Sequence, residues 1–178
     1  MMDVSLAPWP VPGTGELQDL YEHTDQKYCL TILPVPLPEQ STVQYLNAVH
    51  TGMAGQRRLY TRAVMLGNQI IGKIELSAEG EESELDIILR KEYTGRGYGL
   101  QAFRQLLQEV QHTGFCTYIT AYVHKENIHA RRMLAKAGMR QTRPFSADVL
   151  VPDNGMYRLK AVEGYEYILY LEETEPHH

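Results

Sequence analysis

Gly95, Gly97 and Gly99 alternate with other residues between a β-strand pattern and an amphipathic helix pattern. Glycine weakens both helices and strands, so three alternate glycines stabilise neither kind of secondary structure. A glycine loop between a strand and a helix is, however, a common way to bind phosphate. The first amides of a helix have no intrahelical partners and lie at its positive dipole end. The pattern therefore predicts a ligand that comes close to the backbone where this helix begins.

Local details separate the kinds of loop that could bind such a ligand. A nucleotide-triphosphate loop requires Lys and then Ser or Thr directly after its last glycine, whereas Leu100 and Gln101 follow Gly99. Residues 97–102 spell the GxGxxA of dinucleotide-binding folds. Polar residues nevertheless separate the glycines from the preceding strand, and the next strand has no acidic residue before Glu126. A loop in which the glycines only shape a turn is a further alternative.

The other hydrophobic patterns predict an α+β fold. Residues 57–79 form a predicted hairpin in which Gly67 and Asn68 both supply the positive φ angles of a tight turn. Residues 83–93 and 115–123 are predicted strands, and residues 41–49 and 100–112 are predicted amphipathic helices. Asn127 and Gly138 are the predicted N-cap and stop of a further helix.

The two ends of the sequence carry weaker signals. The first ~15 residues are predicted to be extended or irregular, and residues 16–38 to contain a helical turn before a short strand. Residues 146–151 and 165–173 are predicted strands around a turn. Together these elements predict one mixed sheet with helices packed on it, in a single domain over residues 1–178.

Composition narrows the class of protein. The net charge of −5 argues against nucleic-acid binding, because phosphate contacts require a basic surface. Cys29 and Cys116 are too few for a disulfide framework, and no apolar run reaches the ~20 residues of a membrane span. The N-terminal residues do not show the charged-then-apolar pattern of a signal segment, so none is predicted. His124 and His129 lack a neighbouring ligand pair, so no metal site is predicted. We therefore expect a cytoplasmic protein without metal, membrane or nucleic-acid partners.

Two segments resemble the GCN5-related N-acetyltransferase (GNAT) superfamily. Residues 94–99, TGRGYG, are similar to its acetyl-CoA loop, Arg/Gln-x-x-Gly-x-Gly/Ala, with Thr94 in place of Arg or Gln. The other segment is similar to the family's E-N-x-x-A/S-x-x-x-x-x-K-x-G-F/M through Glu126, Asn127, Ala130, Lys136, Gly138 and Met139. The branch that this chain most resembles includes the ribosomal-protein N-terminal acetyltransferases. The resemblance implies a mostly antiparallel sheet of six or seven strands flanked by helices.

The resemblance also implies acetyl-CoA as co-substrate and names the residues that would bind it. The amides that would surround the pyrophosphate belong to Gly95, Arg96, Gly97, Tyr98, Gly99 and Leu100. The preceding strand would diverge from its neighbour and pair with pantetheine through Ile87, Ile88 and Leu89. Asn127 would contact the cofactor as well as cap its helix. A basic cluster near that cap could lie by the 3′-phosphate or on a solvated helix face: Lys125, Arg131 and Arg132.

The implied reaction is attack of an amine on a thioester, and it requires a base. A primary amine with a pKa near ~10 is mostly protonated at pH 7. Glu84 is the first candidate for the base, since related enzymes often carry glutamate there; a solvated surface acid is the alternative reading. It shares a strand face with Asp86, and His124 is the second candidate. Many family members have Tyr where this chain has Leu134, so water, Tyr122 or another tyrosine would protonate the thiolate.

These features together predict an acetyl-CoA-dependent N-acyltransferase that works by direct transfer in a ternary complex. Its acceptor would be a primary amine: a protein N-terminus, a polyamine-like metabolite or an antibiotic. Trp9 and residues 41–55 and 143–164 would recognise this acceptor, and a homodimer is compatible with the prediction. The alternative, suggested by Leu134, is a catalytically weak or inactive acyl-CoA-binding domain.

Overall fold

The computed structural model describes residues 2–10, 15–25, 27 and 57–172. Within them the chain forms one seven-stranded sheet in the order β1-β2-β3-β4-β5-β7-β6. Its strands are β1 (Ser5–Pro8), β2 (Arg58–Leu66), β3 (Gln69–Glu79), β4 (Glu82–Leu89), β5 (Tyr118–His124), β6 (Arg140–Asp153) and β7 (Met156–Tyr170). β4 and β5 are parallel, and the other neighbouring strands are antiparallel. The predicted mixed sheet is confirmed, whereas the predicted helix over residues 41–49 and Cys29 lie outside the described residues.

Three helices pack on this sheet in the described part of the chain. They are α1 (Glu16–Glu22), α2 (Tyr98–Val110) and α3 (Ile128–Lys136). α2 buries Phe103, Leu106 and Val110 in the main core, and α3 buries Leu134 there. Burying each such side chain stabilises the fold by about 1.5–3 kcal/mol. Cys116 lies in the same core, as predicted. None of the described helices is both long and apolar enough to cross a membrane.

The two faces of β4 pack against different helices. Leu85, Ile87 and Leu89 contact the core that includes α2, whereas Ile88 packs with Leu17 and Leu20 of α1. This alternation follows from the two-residue period of a strand. α1 is also tied to the end of β4, because Thr24 Oγ1 donates a hydrogen bond to the Leu89 carbonyl at 3.3 Å and Arg90 forms an ion pair with Asp19. α1 therefore lies beside the point where the chain enters the glycine loop.

Both predicted hairpins form, with two corrections. In the β2–β3 turn Gly67 has a φ of 59°, but Asn68 is not in the left-handed region. A single positive φ at the first central residue is what a type II′ turn requires, so the prediction of two was wrong. The β6–β7 hairpin is much longer than predicted, at 14 and 15 residues. Its turn has positive φ at both Asn154 and Gly155.

Candidate functional site

β4 and β5 run side by side for three residues and then part. The parallel register consists of three pairs: Glu82 with Tyr118, Ser83 with Ile119, and Glu84 with Thr120. Beyond them β4 keeps its register with β3, while β5 continues along β7. The backbone edge of residues 85–89, which includes Ile87, Ile88 and Leu89, therefore faces a gap in the sheet. This is the divergence that we expected of this strand.

The glycine loop lies next to the end of β4. Gly95 and Gly97 have φ angles of 73° and 86°, which only glycine adopts readily. Gly97 is the N-cap of α2, and the first helical hydrogen bond runs from Gln101 N to the Gly97 carbonyl at 3.1 Å. The amides of Tyr98, Gly99 and Leu100 lie ahead of that bond. They therefore form the anion-attracting end of the helix.

The surroundings of these glycines leave room for a ligand. A methyl group added at Gly97 would meet no atom within 4 Å, and one added at Gly99 would meet Leu89 Cδ1 at 3.8 Å, an ordinary contact. Gly99 lies within α2 and has no positive φ, so nothing in the described chain requires glycine there. Glycine in a helix costs about 0.5–1 kcal/mol relative to alanine. A ligand that comes close to this backbone would explain why glycine is present despite that cost.

The start of α3 lies against the same loop. Asn127 Oδ1 accepts a hydrogen bond from the Ala130 amide at 3.3 Å, which confirms that Asn127 is the N-cap. A methyl group at Gly95 would meet His129 Cε1 at 3.9 Å, so the first turn of α3 is within contact distance of the glycine loop. The spacing of His129 along the chain gives no sign of this contact. Its position beside Gly95 depends on how the two helices pack, which the sequence pattern does not show.

Two of the three basic residues near this cap are held by structural contacts. Lys125 forms an ion pair with Glu163 of β7. The guanidinium of Arg131 donates to the Lys125 carbonyl at 2.9 Å and lies 4.7 Å from the centre of the Tyr165 ring. Either residue would have to give up these contacts to bind a phosphate. The third residue of the cluster, Arg132, is exposed on α3.

Glu84 occupies the last paired position before the gap. Its carboxylate is half-exposed and lies 3.8 Å from Arg57 Nη1. Burial raises the pKa of Glu84; Arg57 opposes the rise, and the neighbouring carboxylates of Asp86 and Glu82 add to it. A carboxylate with a raised pKa is a stronger base than a fully solvated one. The structure therefore places a basic carboxylate where the two strands part.

Asp86 follows Glu84 on the same face of β4, inside the parted region. Asp86 is exposed, and it has no hydrogen bond or ion pair with another described residue. Desolvation by the surrounding protein raises the pKa of Asp86; Lys73 opposes this effect and Glu75 adds to it. Two carboxylates, Glu84 and Asp86, therefore lie on one face of β4 where the strands part.

Tyr122 lies on β5 just beyond the junction with β4. Its hydroxyl donates a hydrogen bond to Glu166 Oε2 at 3.0 Å, across to β7 and away from the gap. Burial and this bond raise the pKa of Tyr122. Glu166 also accepts from Thr142 Oγ1 at 2.7 Å and from Arg143 Nη2 at 2.9 Å, which lowers its own pKa. No sequence pattern reveals this network, because its members come from three strands.

The remaining candidates have the following environments. His124 Nδ1 accepts a hydrogen bond from the Glu126 amide at 3.1 Å. Leu134 is 2% exposed in the core, and its side chain carries no proton that it could donate. Among the described residues, no three His, Cys, Asp or Glu side chains come together as metal ligands.

Comparisons with known proteins agree with this architecture. A family model described as the acetyltransferase (GNAT) domain matches residues 10–140. No characterised protein sequence matches significantly. Among solved structures, an acetyltransferase from Salmonella typhimurium that modifies the N-terminal serine of ribosomal protein L7/L12 is similar, with a TM-score of 0.73 and 9% identity over 97% of both chains.

Two further solved structures contain bound ligands. The ribosomal L7/L12 α-N-protein acetyltransferase RimL, in complex with coenzyme A, has a TM-score of 0.69 and 10% identity over 96% of both chains. The microcin C7 self-immunity acetyltransferase MccE, in complex with acetyl-CoA and AMP, has a TM-score of 0.69 and 12% identity over 94% of this chain and 92% of its own. These likenesses show the fold, and the family model covers most of the sequence. The chain belongs to the GNAT acetyltransferase family.

Proposed function

We propose that this protein is a single acetyltransferase domain that transfers an acetyl group from acetyl-CoA to a primary amine, by direct attack in a ternary complex. The observation that carries the proposal is the parting of β4 and β5 after Glu84, beside the glycine loop that precedes α2. The solved relatives RimL and MccE, which bind coenzyme A and acetyl-CoA, support it.

The residues that would hold acetyl-CoA are mainly backbone groups. The open edge of residues 85–89 offers hydrogen-bonding groups to the two amides of pantetheine, as a strand edge does to an added strand. The amides of residues 95–100 would bind the pyrophosphate at the positive end of α2. Asn127 and His129 lie at the start of α3, next to the same loop. When bound, acetyl-CoA supplies an acetyl group activated as a thioester.

The protein must also remove a proton from the amine. Only about one amine in a thousand is unprotonated at pH 7 when its pKa is near ~10. Glu84 would accept this proton, directly or through water, because it lies where the gap begins and its raised pKa strengthens it as a base.

Protonation of the departing thiolate needs less help from the protein. A free thiol has a pKa near ~8.5, so that its thiolate is a tolerable leaving group. Leu134 cannot donate a proton, and we propose water as the donor. Tyr122 stays a candidate for the proton donor, although its hydroxyl already donates a hydrogen bond to Glu166.

Release of free coenzyme A thiol tests the proposed function. The substrates are acetyl-CoA and a panel of peptides with free N-termini, polyamines and amine-bearing antibiotics, and the control omits the amine. We expect amine-dependent release with at least one class of acceptor. Tight binding of coenzyme A without release for any amine would instead support the inactive acyl-CoA-binding alternative.

Gly99→Ala tests whether glycine is required at this position by the fold or by the bound cofactor. The new methyl group has room in the chain, so we expect the free energy of unfolding to rise by about 0.5–1 kcal/mol. Extra volume in a well-packed site costs about 1–3 kcal/mol, so the affinity for coenzyme A should fall about 5- to 150-fold. Urea unfolding and calorimetric titration measure the two effects. Gln108→Ala, on the exposed face of α2, is the control that should leave the affinity unchanged, and unchanged affinity in Gly99→Ala would contradict the proposed loop contact.

A further inference from the structure

The carboxylate of Glu82 lies across the short parallel junction between β4 and β5. Its Oε1 accepts a hydrogen bond from Thr120 Oγ1 at 3.1 Å, and its Oε2 accepts a longer one from the Tyr118 hydroxyl at 3.4 Å. The two donors are two residues apart on β5 and therefore lie on one face of the sheet. A single side chain of β4 thus contacts two successive positions on that face of its parallel neighbour.

These contacts end where the strands part. Thr120 is the last β5 residue paired with β4, and its partner there is Glu84. Thr120 is 2% exposed, so that loss of its hydrogen bond would leave a buried hydroxyl without this partner. The opposite end of the junction is secured by backbone, because the Glu81 carbonyl accepts from the Tyr118 amide at 3.3 Å. Glu82 therefore secures the end from which the gap opens.

We propose that Glu82 is a positioning residue of this active site: by holding Thr120, it fixes the point at which β4 and β5 part and hence the place of Glu84 at the gap. The inference rests on the proposed acetyl transfer, in which Glu84 accepts the proton of the amine. Both oxygens of Glu82 are engaged by hydroxyls of β5. Glu82 thus acts through Thr120 and Glu84 and not on the substrate.

The charge of Glu82 provides a second way to detect this role. The charged groups that act on Glu84 are Arg57, just before β2, and the two carboxylates beside Glu84 on β4, Glu82 and Asp86. The positions opposite Glu84 on β3 and β5 are uncharged, namely Ser77 and Thr120. Since Glu82 helps to raise the pKa of Glu84, removal of its charge lowers that pKa. Removal of the Arg57 charge has the opposite effect.

The test uses variants that separate the hydrogen bond from the charge. Thr120→Val keeps the charge of Glu82 but removes the bond, and displacements of about 1 Å can cost up to about a hundredfold in rate. We expect kcat to fall about tenfold, with an unchanged acid limb of the pH profile. Thr120→Ser should restore kcat. Glu82→Gln keeps the shape and should move the acid limb to lower pH, whereas the control Glu81→Gln should change none of these quantities.

Two measurements decide the inference without turnover. Carboxyl-carbon NMR should show that Glu84 titrates at lower pH in Glu82→Gln, and amide hydrogen exchange at residues 118–120 should be faster in Thr120→Val. The inference is overturned if Glu82→Gln matches Glu81→Gln in every measurement, or if Thr120→Val loses stability but keeps the wild-type kcat. Absence of turnover in the wild type would reject the proposed function, while the NMR and exchange results would still decide the role of Glu82. If Thr120→Val does not fold, the titration in Glu82→Gln is the deciding result.

Discussion

Glu84→Gln lowers kcat/KM for amine acetylation by about 10²- to 10⁴-fold, the usual contribution of a general base. The substitution keeps the size of the side chain and removes its ability to accept a proton. Because the cofactor contacts we propose lie on the glycine loop and on residues 85–89, the affinity for coenzyme A should not change. Initial rates over a range of amine concentrations, together with calorimetric titration of coenzyme A, measure both effects.

The same substitution should leave the folded protein at least as stable as the wild type. Burial is the largest of the causes that raise the pKa of Glu84. A carboxyl group whose pKa rises on folding favours the folded state in its protonated form. That stability is present at low pH and is lost as the pH rises from the usual carboxyl range through the raised pKa. At neutral pH the wild type carries this cost, whereas the neutral glutamine does not.

Thermal unfolding at neutral pH distinguishes a catalytic from a structural role for Glu84. Glu81→Gln removes the same charge from an exposed position just before β4 and should keep both the activity and the melting temperature. Loss of activity in Glu84→Gln together with a clearly lower melting temperature would indicate a structural role. Wild-type activity in this variant would point to another base, of which His124 is the remaining candidate.

Lys73→Met should lower the free energy of unfolding by about 3–5 kcal/mol, the usual cost of breaking a buried ion pair from one side. Lys73 is 1% exposed on β3, and its Nζ lies 3.7 Å from Glu75 Oε2. Glu75 is itself buried and accepts a hydrogen bond from Thr61 Oγ1 at 2.7 Å. Methionine fills similar volume, so the expected loss comes from the carboxylate that is left buried without Lys73.

A double variant shows whether charge is the cause. Lys73→Met with Glu75→Gln removes both charges and should recover most of the lost stability, since replacing a whole buried pair is often close to neutral. Lys91→Met, an exposed lysine beyond the end of β4, should stay within about 0.5 kcal/mol of the wild type. Urea unfolding of the four proteins measures these differences. An equally unstable double variant would mean that packing, and not the loss of the Lys73 charge, explains the destabilisation.

The glycine loop and the helix caps could be predicted because their signals are local. The glycines, the periodic apolar residues of α2 and the Asn127 cap lie within a few residues of the structures that they determine. The Gly67 turn was predicted with one positive φ too many, because Gly-Asn fits more than one type of tight turn. The lengths of β6 and β7 were underestimated, since the two strands stabilise one another by pairing across the hairpin more than by their individual sequences.

The buried lysine of β3 and the side-chain contacts between β4 and β5 could not be predicted from the sequence, for a different reason. A lysine in a strand, such as Lys73, is ordinarily predicted to face solvent. Its burial depends on what packs over β3, which strand alternation does not reveal. Glu84 was found through the family resemblance. Glu82 was not, because its partners on β5 lie 36 and 38 residues away along the chain.

The three-pair junction also affects how ligand occupancy and stability are linked. It joins two antiparallel half-sheets, β1 to β4 and β5 to β7, so neighbouring strands share their fewest residue pairs where the ligand gap opens. A ligand that lies along β4 in this gap would stand in for a missing strand and bridge the halves. By mass action, a ligand at a hundredfold excess over its Kd adds about 2.7 kcal/mol to the free energy of unfolding. The concentration of acetyl-CoA would then regulate the resistance of this protein to unfolding as well as its rate of catalysis.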